Sequence, residues 1–133
     1  MGGTRYLGLL DALGLHAEVM QRTGYAPAPL RSRELLEWAL MRPQMAAHYE
    51  GADLARQCAL LAVGVSWAQA WLDGNKRTAF AVADVFLRLN GHAFFGEPLE
   101  MARHLEGLAN REGGLGEATD RFEAWLRAWI RPL

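Results

Sequence analysis

The stretch Trp71-Leu72-Asp73-Gly74-Asn75-Lys76-Arg77-Thr78 joins two strongly apolar runs, residues 53–70 before it and residues 78–90 after it. Apolar residues recur along both runs at helical spacing, as they do in helices that pack into a core. The Asp-Gly pair between the runs is a turn signal, because glycine adopts backbone conformations that residues with a β-carbon resist. We therefore expect a polar turn between two core helices, with the rest of the chain packed around that pair.

The residues just after this turn suit an anion. The first backbone N–H groups of the second helix have no intrahelical partner and carry the positive end of the helix dipole. Asn75, Lys76 and Arg77 add side-chain donors, and the guanidinium fork matches a phosphate. Asp73 supplies a hard oxygen ligand beside them, as a magnesium ion that bridges protein and phosphate oxygens needs. The stretch predicts a magnesium-nucleotide site.

The competing interpretation is a solvated structural turn, which is what such a sequence forms most often. A P-loop is excluded, because the spacing G-x-x-x-x-G-K-[ST] is absent. From these residues alone, the structural turn and the nucleotide site both stay open.

Helical periodicity along the remainder predicts one all-α domain, residues 1–133, with a bundle of about six helices. The run 78–90 is apolar on nearly every face, and such a helix belongs at the centre of a bundle. We expect the second helix to end near Arg42, because Pro43 disfavours helical geometry in the residue before it. Residues 92–96 are expected to be extended. The last helix is expected to carry an apolar stripe of Phe122, Trp125, Leu126, Trp129 and Ile130.

The composition is that of an ordinary globular protein, since 51% of the 133 residues are hydrophobic and 22% are charged. The formal net charge of -1 gives no support for a nucleic-acid partner. No stretch approaches membrane-spanning length and no signal peptide is recognisable, so we expect no membrane association. Cys58 is the only cysteine and lies in an apolar run, where it is expected to be a buried hydrophobe. These features predict a cytoplasmic protein.

The order D-G-N-K-R-T-A at residues 73–79, followed by an apolar helix ending in F-L-R-L-N-G at residues 86–91, resembles the signature of the Fic/Doc family. More narrowly, it is similar to the short Doc, or death-on-curing, toxin branch. The resemblance extends from about Gly14 to about Phe95. It implies a Fic fold and the transfer of AMP or a phosphoryl group from ATP, or another nucleotide triphosphate, to a hydroxyl of a target protein. For the Doc branch it implies a kinase that inactivates a translation factor and that a small antitoxin holds silent.

The resemblance also implies a role for each residue of the turn. Asp73 would hold Mg²⁺, and Gly74, Asn75 and Lys76 would contact the phosphates. Arg77 would bind the phosphate group on which charge develops in the transition state. The candidate catalytic residues are therefore Asp73, Arg77 and Gln69, the last of which stands at the base position, where the family has a histidine that accepts the proton of the attacking hydroxyl.

One position departs from the family pattern H-x-F-x-D-G-N-K-R, because Gln69 stands where the histidine would be and Trp71 where the aromatic would be. A glutamine amide can orient a hydroxyl, but it cannot accept its proton. Three interpretations stay open: an inactive relative that binds nucleotide or antitoxin, an active enzyme whose base is solvent or a residue such as His16, or an engineered variant of a toxin. Loss of a base costs roughly 10²- to 10⁴-fold in rate, so weak activity would survive.

The resemblance further implies a short β flap at residues 44–51, which would pair with an extended stretch of the target as an added strand. Gln44, His48 and Tyr49 would line this flap. On the residues alone, a plain connecting loop is the simpler interpretation. For His16, likewise, a structural role competes with that of an auxiliary catalyst.

Overall fold

The computed structural model describes residues 3–107 and 114–133. Its centre is the helix pair on either side of the polar turn, α3 (Leu54–Ala68) and α4 (Asn75–Leu89). Helices α1 (Leu9–Arg22) and α2 (Arg33–Glu50) precede this pair. A strand β1 (His92–Phe94), helices α5 (Pro98–Gly107) and α6 (Leu115–Leu126), a 3₁₀ turn (Arg127–Trp129) and a strand β2 (Ile130–Pro132) follow it. The predicted all-α fold of about six helices is confirmed.

Helix α3, more than α4, forms the centre of the core. Every residue from Gln57 to Ser66 is buried, whereas α4 leaves Asp84 and Arg88 on an accessible face. Cys58 is fully buried in α3, and burial raises the pKa of its thiol, as suits a packing residue. The largest side chains enclosed by the helices are Trp71, Phe86 and Phe122. The turn is therefore anchored in the core by Trp71 itself.

The expectation that α2 ends near Arg42 is wrong, because the helix continues through Pro43 to Glu50. Proline removes one helical N–H bond, but Pro43 is buried within a helix that packs on α3. The helix ends instead at Gly51, whose φ of 65° is left-handed, with a bond of 3.2 Å from the Ala52 N–H to the Ala46 carbonyl. This glycine cap, and not the proline, stops the helix.

Residues 44–50 are consequently helical, so neither a β flap nor a connecting loop is found there. Gln44, His48 and Tyr49 are exposed in the last two turns of α2, and the His48 and Tyr49 rings meet edge to face. The short β element of the fold lies elsewhere. Strand β1, within the segment predicted to be extended, pairs antiparallel with β2, and Phe94 lies opposite Ile130.

The predicted apolar stripe of the last helix is divided between three elements. Phe122 and Leu126 are buried within α6, Trp129 belongs to the 3₁₀ turn, and Ile130 begins β2. The backbone changes because Trp129 accepts the Phe95 N–H through its carbonyl at 2.8 Å, which joins the C-terminal segment to the β1 edge. Among the described helices, none combines the length and the apolar character that crossing a membrane requires.

Candidate functional site

The turn between α3 and α4 uses two left-handed residues. Gln69 follows α3 with a φ of 50°, and Gly74 precedes α4 with a φ of 80°. A β-carbon on Gly74 would lie 2.5 Å from the Met20 Sδ and 3.2 Å from the His16 Cε1. Glycine is therefore required at residue 74 both for its backbone conformation and for its close approach to α1.

Asn75 closes the turn from within. Its Oδ1 accepts the Trp71 N–H at 3.0 Å, and its Nδ2 donates to the Trp71 carbonyl at 2.8 Å. Both bonds are buried, and the side chain is 8% exposed. The amide predicted to contact phosphate is thus engaged in holding the loop backbone, while the backbone N–H of residue 75 stays at the open start of the helix.

His16 supports the turn from α1. Its ring stacks on Trp71, with 4.3 Å between ring centroids and 7° between planes. The Ala28 N–H donates to Nε2 at 3.0 Å, so Nε2 must accept, and the proton lies on Nδ1, which donates to the Thr78 Oγ1 at 2.9 Å. Burial lowers the pKa of His16, the Arg77 charge lowers it further, and Asp73 acts in the opposite direction. His16 is therefore a neutral, fully bonded structural residue.

The segment before α2 holds the other side of the turn. The Leu72 N–H donates to the Pro29 carbonyl at 3.1 Å, and the Arg31 N–H donates to the Ala70 carbonyl at 2.6 Å. The Arg31 guanidinium reaches the Gln69 carbonyl at 3.0 Å. The Gln69 side chain donates in turn to the Ser66 carbonyl at 3.2 Å. The backbone around Gln69 is thus held by the neighbouring segment at residues 29–31.

Asp73 and Arg77 face each other one helical turn apart. The Asp73 Oδ1 accepts the Gly74 N–H at 2.7 Å, and its two carboxylate oxygens are each 3.5 Å from the Arg77 Nη2. Arg77 also donates to the Thr23 Oγ1 at 2.8 Å and lies over the Tyr25 ring at 5.3 Å. The guanidinium is oriented from several sides, yet the contact with the carboxylate is long enough to yield to a stronger anion.

Lys76 is half-buried and forms no ion pair with any residue in the described ranges. The first helical bond of α4 runs from the Thr78 N–H to the Gly74 carbonyl at 2.9 Å. The N–H groups of residues 75–77 precede that bond, and no side chain caps them. Free backbone donors and a free ammonium therefore meet at one helix end.

A cavity of about 620 Å³ opens over this helix end. All six residues predicted for the nucleotide site line it, namely Gln69, Asp73, Gly74, Asn75, Lys76 and Arg77. The three residues predicted for a flap, Gln44, His48 and Tyr49, are not among its lining. The structure thus brings the turn residues together and leaves the α2 residues apart from them.

Sequence reasoning missed the opposite walls of the cavity. Val19 of α1 and Thr23, which caps the end of α1, contribute to it, and the turn and α4 add Leu72 and Phe80. Helix α5 contributes four residues of one face, Pro98, Leu99, Ala102 and Glu106. Leu99, Ala102 and Glu106 follow Pro98 by one, four and eight residues, a spacing that indicates a shared helix face. Nothing local in the sequence shows that this face turns toward residues 69–77.

The site suits a metal ion that takes only part of its coordination from the protein and the rest from a bound phosphate compound. In the described part of the chain, no group of three or more histidine, cysteine, aspartate or glutamate residues could hold a metal ion. Mg²⁺ commonly binds proteins through one or two carboxylates and takes its other ligands from substrate phosphates and water. The accessible Asp73 carboxylate, beside the cationic and N–H donors at the start of α4, fits that arrangement.

Comparison with known proteins connects this geometry to a family. The sequence model of the Fic/DOC family matches residues 6–87. The matched region runs from just before α1 to near the end of α4, and so includes the turn and most of its supports. None of the curated proteins matches the chain.

Proposed function

Because this chain belongs to the Fic/DOC family, we propose that it transfers a phosphoryl or AMP group from a nucleotide triphosphate to a hydroxyl of a protein. The observation that carries the proposal is the cavity at the start of α4, where Asp73, Lys76, Arg77 and free backbone N–H groups meet. Cationic and N–H donors around one open space bind the oxygens of a phosphate chain. ATP is the nucleotide we propose.

Each donor has a distinct part in this proposal. Lys76 and the N–H groups of residues 75–77 hold the phosphate chain, and Gly74 lets the backbone come close to it. Arg77, fixed by Thr23 and Tyr25, binds the oxygens on which charge develops. Because phosphoryl transfer has a loose transition state, this positioning and charge neutralisation supply most of the catalysis.

Asp73 is the residue proposed to hold Mg²⁺. When bound, the ion would neutralise phosphate oxygens and orient them for in-line displacement. The Asp73 carboxylate is exposed enough to reach it, with 62% of its side-chain surface accessible. Its Oδ1 is oriented by the Gly74 N–H at 2.7 Å, which leaves further lone pairs for a metal ligand bond.

The biological setting is proposed from the Doc resemblance. We propose a cytoplasmic toxin that modifies a protein target, such as a translation factor, and that a small antitoxin keeps silent. No direct contact with nucleic acid or membrane belongs to this proposal. The rate is expected to be modest, because Gln69 orients but does not accept a proton.

The test of nucleotide binding is calorimetric titration with Mg-ATP. The wild type is expected to bind, and Lys76→Ala with Arg77→Ala is expected to weaken binding by about 100-fold or more, because two charge-assisted contacts are lost. Arg88→Ala is the matched control, since Arg88 lies at the far end of the same helix, where it pairs with Asp84 at 3.3 Å. Absence of binding by the wild type to Mg-ATP and Mg-GTP would contradict the proposal.

A binding module without catalysis is the second candidate, and Gln69 in the base position is the observation that favours it. The two candidates differ in their response to loss of the phosphate donors. The measurement is the growth of cells that express the chain. If the chain acts only by presenting a surface to a partner, its effect on growth should be the same with and without Lys76→Ala and Arg77→Ala. If the chain is a transferase, the same double substitution should abolish both its effect on growth and its nucleotide-dependent labelling of lysate proteins.

A further inference from the structure

Transfer to a hydroxyl needs an acceptor for the hydroxyl proton, and this inference rests on the proposed function. Gln69 has no site of sufficient basicity. His16, the sequence candidate for an auxiliary base, is 2% exposed, and both of its ring nitrogens are already bonded, to Ala28 and to Thr78. If the acceptor is a side chain of this protein, the candidates are the other titratable groups that line the cavity.

The remaining histidines are not in position to serve. His48 lies on α2, His92 on β1, and His104 stacks on Trp125 with 4.0 Å between ring centroids. None of these three lines the cavity. Among residues 3–107 and 114–133, the titratable side chains that line it are Asp73, Lys76, Arg77 and Glu106.

Of these four, two are cations, and two are carboxylates with different surroundings. Asp73 already accepts the Gly74 N–H and faces Arg77, and it is assigned to the metal. Glu106 lies in the last described turn of α5 and is exposed. It forms no hydrogen bond and no ion pair with any residue of the described ranges, so its carboxylate lone pairs are available.

We infer that Glu106 is the catalytic proton acceptor that compensates for glutamine at residue 69. In protein kinases, too, a carboxylate takes the proton of the substrate hydroxyl. As the hydroxyl oxygen forms its bond to phosphorus, the O–H bond breaks and the proton passes to the Glu106 carboxylate. The P–O bond to the leaving group breaks in the same displacement. Its electron pair leaves with the nucleoside diphosphate in phosphoryl transfer, or with pyrophosphate in AMP transfer.

The surroundings of Glu106 suit this task. The residues that precede it on the same face of α5 are Pro98, Leu99 and Ala102, so this wall offers no competing donor. The positive charge of the lining comes from Lys76 and Arg77 at the start of α4, where phosphate is proposed to bind. Glu106 thus belongs to a different element from the proposed phosphate donors and lines the same cavity as they do.

The experiment is a double-mutant cycle between residues 69 and 106. The full-length chain is incubated with a cell lysate and ATP radiolabelled at either the α- or the γ-phosphate, and the rate of protein labelling is measured. Glu106→Gln is expected to lower the rate of the wild type by about 100-fold, the ordinary contribution of a base. In the Gln69→His background, where an imidazole takes the proton, Glu106→Gln is expected to change the rate by less than about threefold.

Two controls separate catalysis from structure. Glu100 lies on the same helix as Glu106 but outside the cavity lining, and it pairs with Arg103. The Glu100→Gln variant should therefore label lysate proteins at the wild-type rate. Mg-ATP affinity should be equal in the wild type and Glu106→Gln. The acid limb of the rate should also move to higher pH in Gln69→His, because the proton acceptor changes from a carboxylate to an imidazole.

The inference is overturned if Glu106→Gln labels at the wild-type rate, if it lowers the rate equally in both backgrounds, or if only Gln69→His is active. The first two outcomes leave the proposed transferase function intact, whereas the third would favour the binding module without catalysis. Absence of labelling by both the wild type and Gln69→His, together with absence of Mg-ATP binding, would instead overturn the proposed function and this inference with it.

Discussion

Protonation of the His16 ring would break a bond on which the turn depends, since Nε2 must stay an acceptor for the Ala28 N–H. Burial and the Arg77 charge lower the pKa of His16 in the folded chain. The unfolded chain takes up this proton near pH 6.5 and the folded chain only at lower pH, so the free energy of unfolding falls as pH drops below that value. Denaturant unfolding at pH 7.5 and at pH 5.5 measures this fall in the free energy of unfolding. We expect the fall to be smaller in His16→Gln than in the wild type. An unchanged pH dependence of the unfolding free energy in His16→Gln would contradict this assignment.

The side chains of the turn also show how far sequence reasoning reaches for a single residue. Residue types placed Asp73, Lys76 and Arg77 around one site, the family resemblance added Gln69, and all four line one cavity. What each side chain already binds could not be read from the same types. The Asn75 amide is engaged by Trp71, 4 residues earlier, whereas His16 binds Thr78 across 62 positions of sequence. A local pattern indicates a donor, but only the tertiary structure decides whether that donor is free.

Asp53 begins α3 and also ties that helix to the end of α6. Its Oδ1 accepts the Arg56 N–H at 3.0 Å as an N-cap, and its carboxylate pairs with the Arg127 guanidinium at 2.9 and 3.0 Å. Asparagine caps a helix as well as aspartate does but carries no charge. We expect Asp53→Asn to lower the free energy of unfolding by about 1 kcal/mol or less, as for an exposed pair, and Asp53→Ala to lower it by about 1 kcal/mol more.

Denaturant unfolding at neutral pH measures both variants. Arg127 lowers the pKa of Asp53, and the Arg56 N–H lowers it further. A carboxyl group with a lowered pKa stabilises the fold above its unfolded value and loses that contribution as pH falls through the folded value. The wild type and Asp53→Asn should therefore approach each other in stability as the solution is acidified below about pH 4. Equal stabilities of the asparagine and alanine variants would show that the cap contributes nothing.

The second helix shows why element boundaries were harder to predict than the elements themselves. Pro43 signals a stop in the local sequence, but Gly64 on α3 allows α2 to approach closely at this level. A β-carbon on Gly64 would lie 3.4 Å from the Ala39 Cβ. Packing on α3 therefore outweighs one lost backbone bond, and the helix runs on to the left-handed Gly51. The competing forces act between elements, which a local pattern does not report.

At the scale of the whole molecule, both ends of the chain close on the turn after α4. The Arg5 N–H donates to the Asn90 Oδ1 at 2.8 Å, and the Asn90 Nδ2 donates to the Arg5 carbonyl at 3.0 Å. From the other end, the Leu133 N–H donates to the Gly91 carbonyl at 2.9 Å, beside the β1–β2 pair. The sequence predicted the apolar helices of the bundle, but this closure joins residues separated by up to 85 positions. It lies about 20 Å from the cavity, along the 15 residues of α4.

This separation predicts that stability and nucleotide binding can be changed independently. Asn90→Ala removes two bonds to Arg5 and one to the Phe86 carbonyl, and we expect it to lower the free energy of unfolding by about 1 to 3 kcal/mol. Hydrogen exchange of the Arg5 amide should quicken, because its acceptor is lost. Mg-ATP affinity should stay at the wild-type value, since the turn at residues 69–74 is held by His16, Asn75 and the segment at residues 29–31. A fall in affinity matching that of Lys76→Ala with Arg77→Ala would mean that the two ends of α4 are coupled and that the chain closure is part of the site.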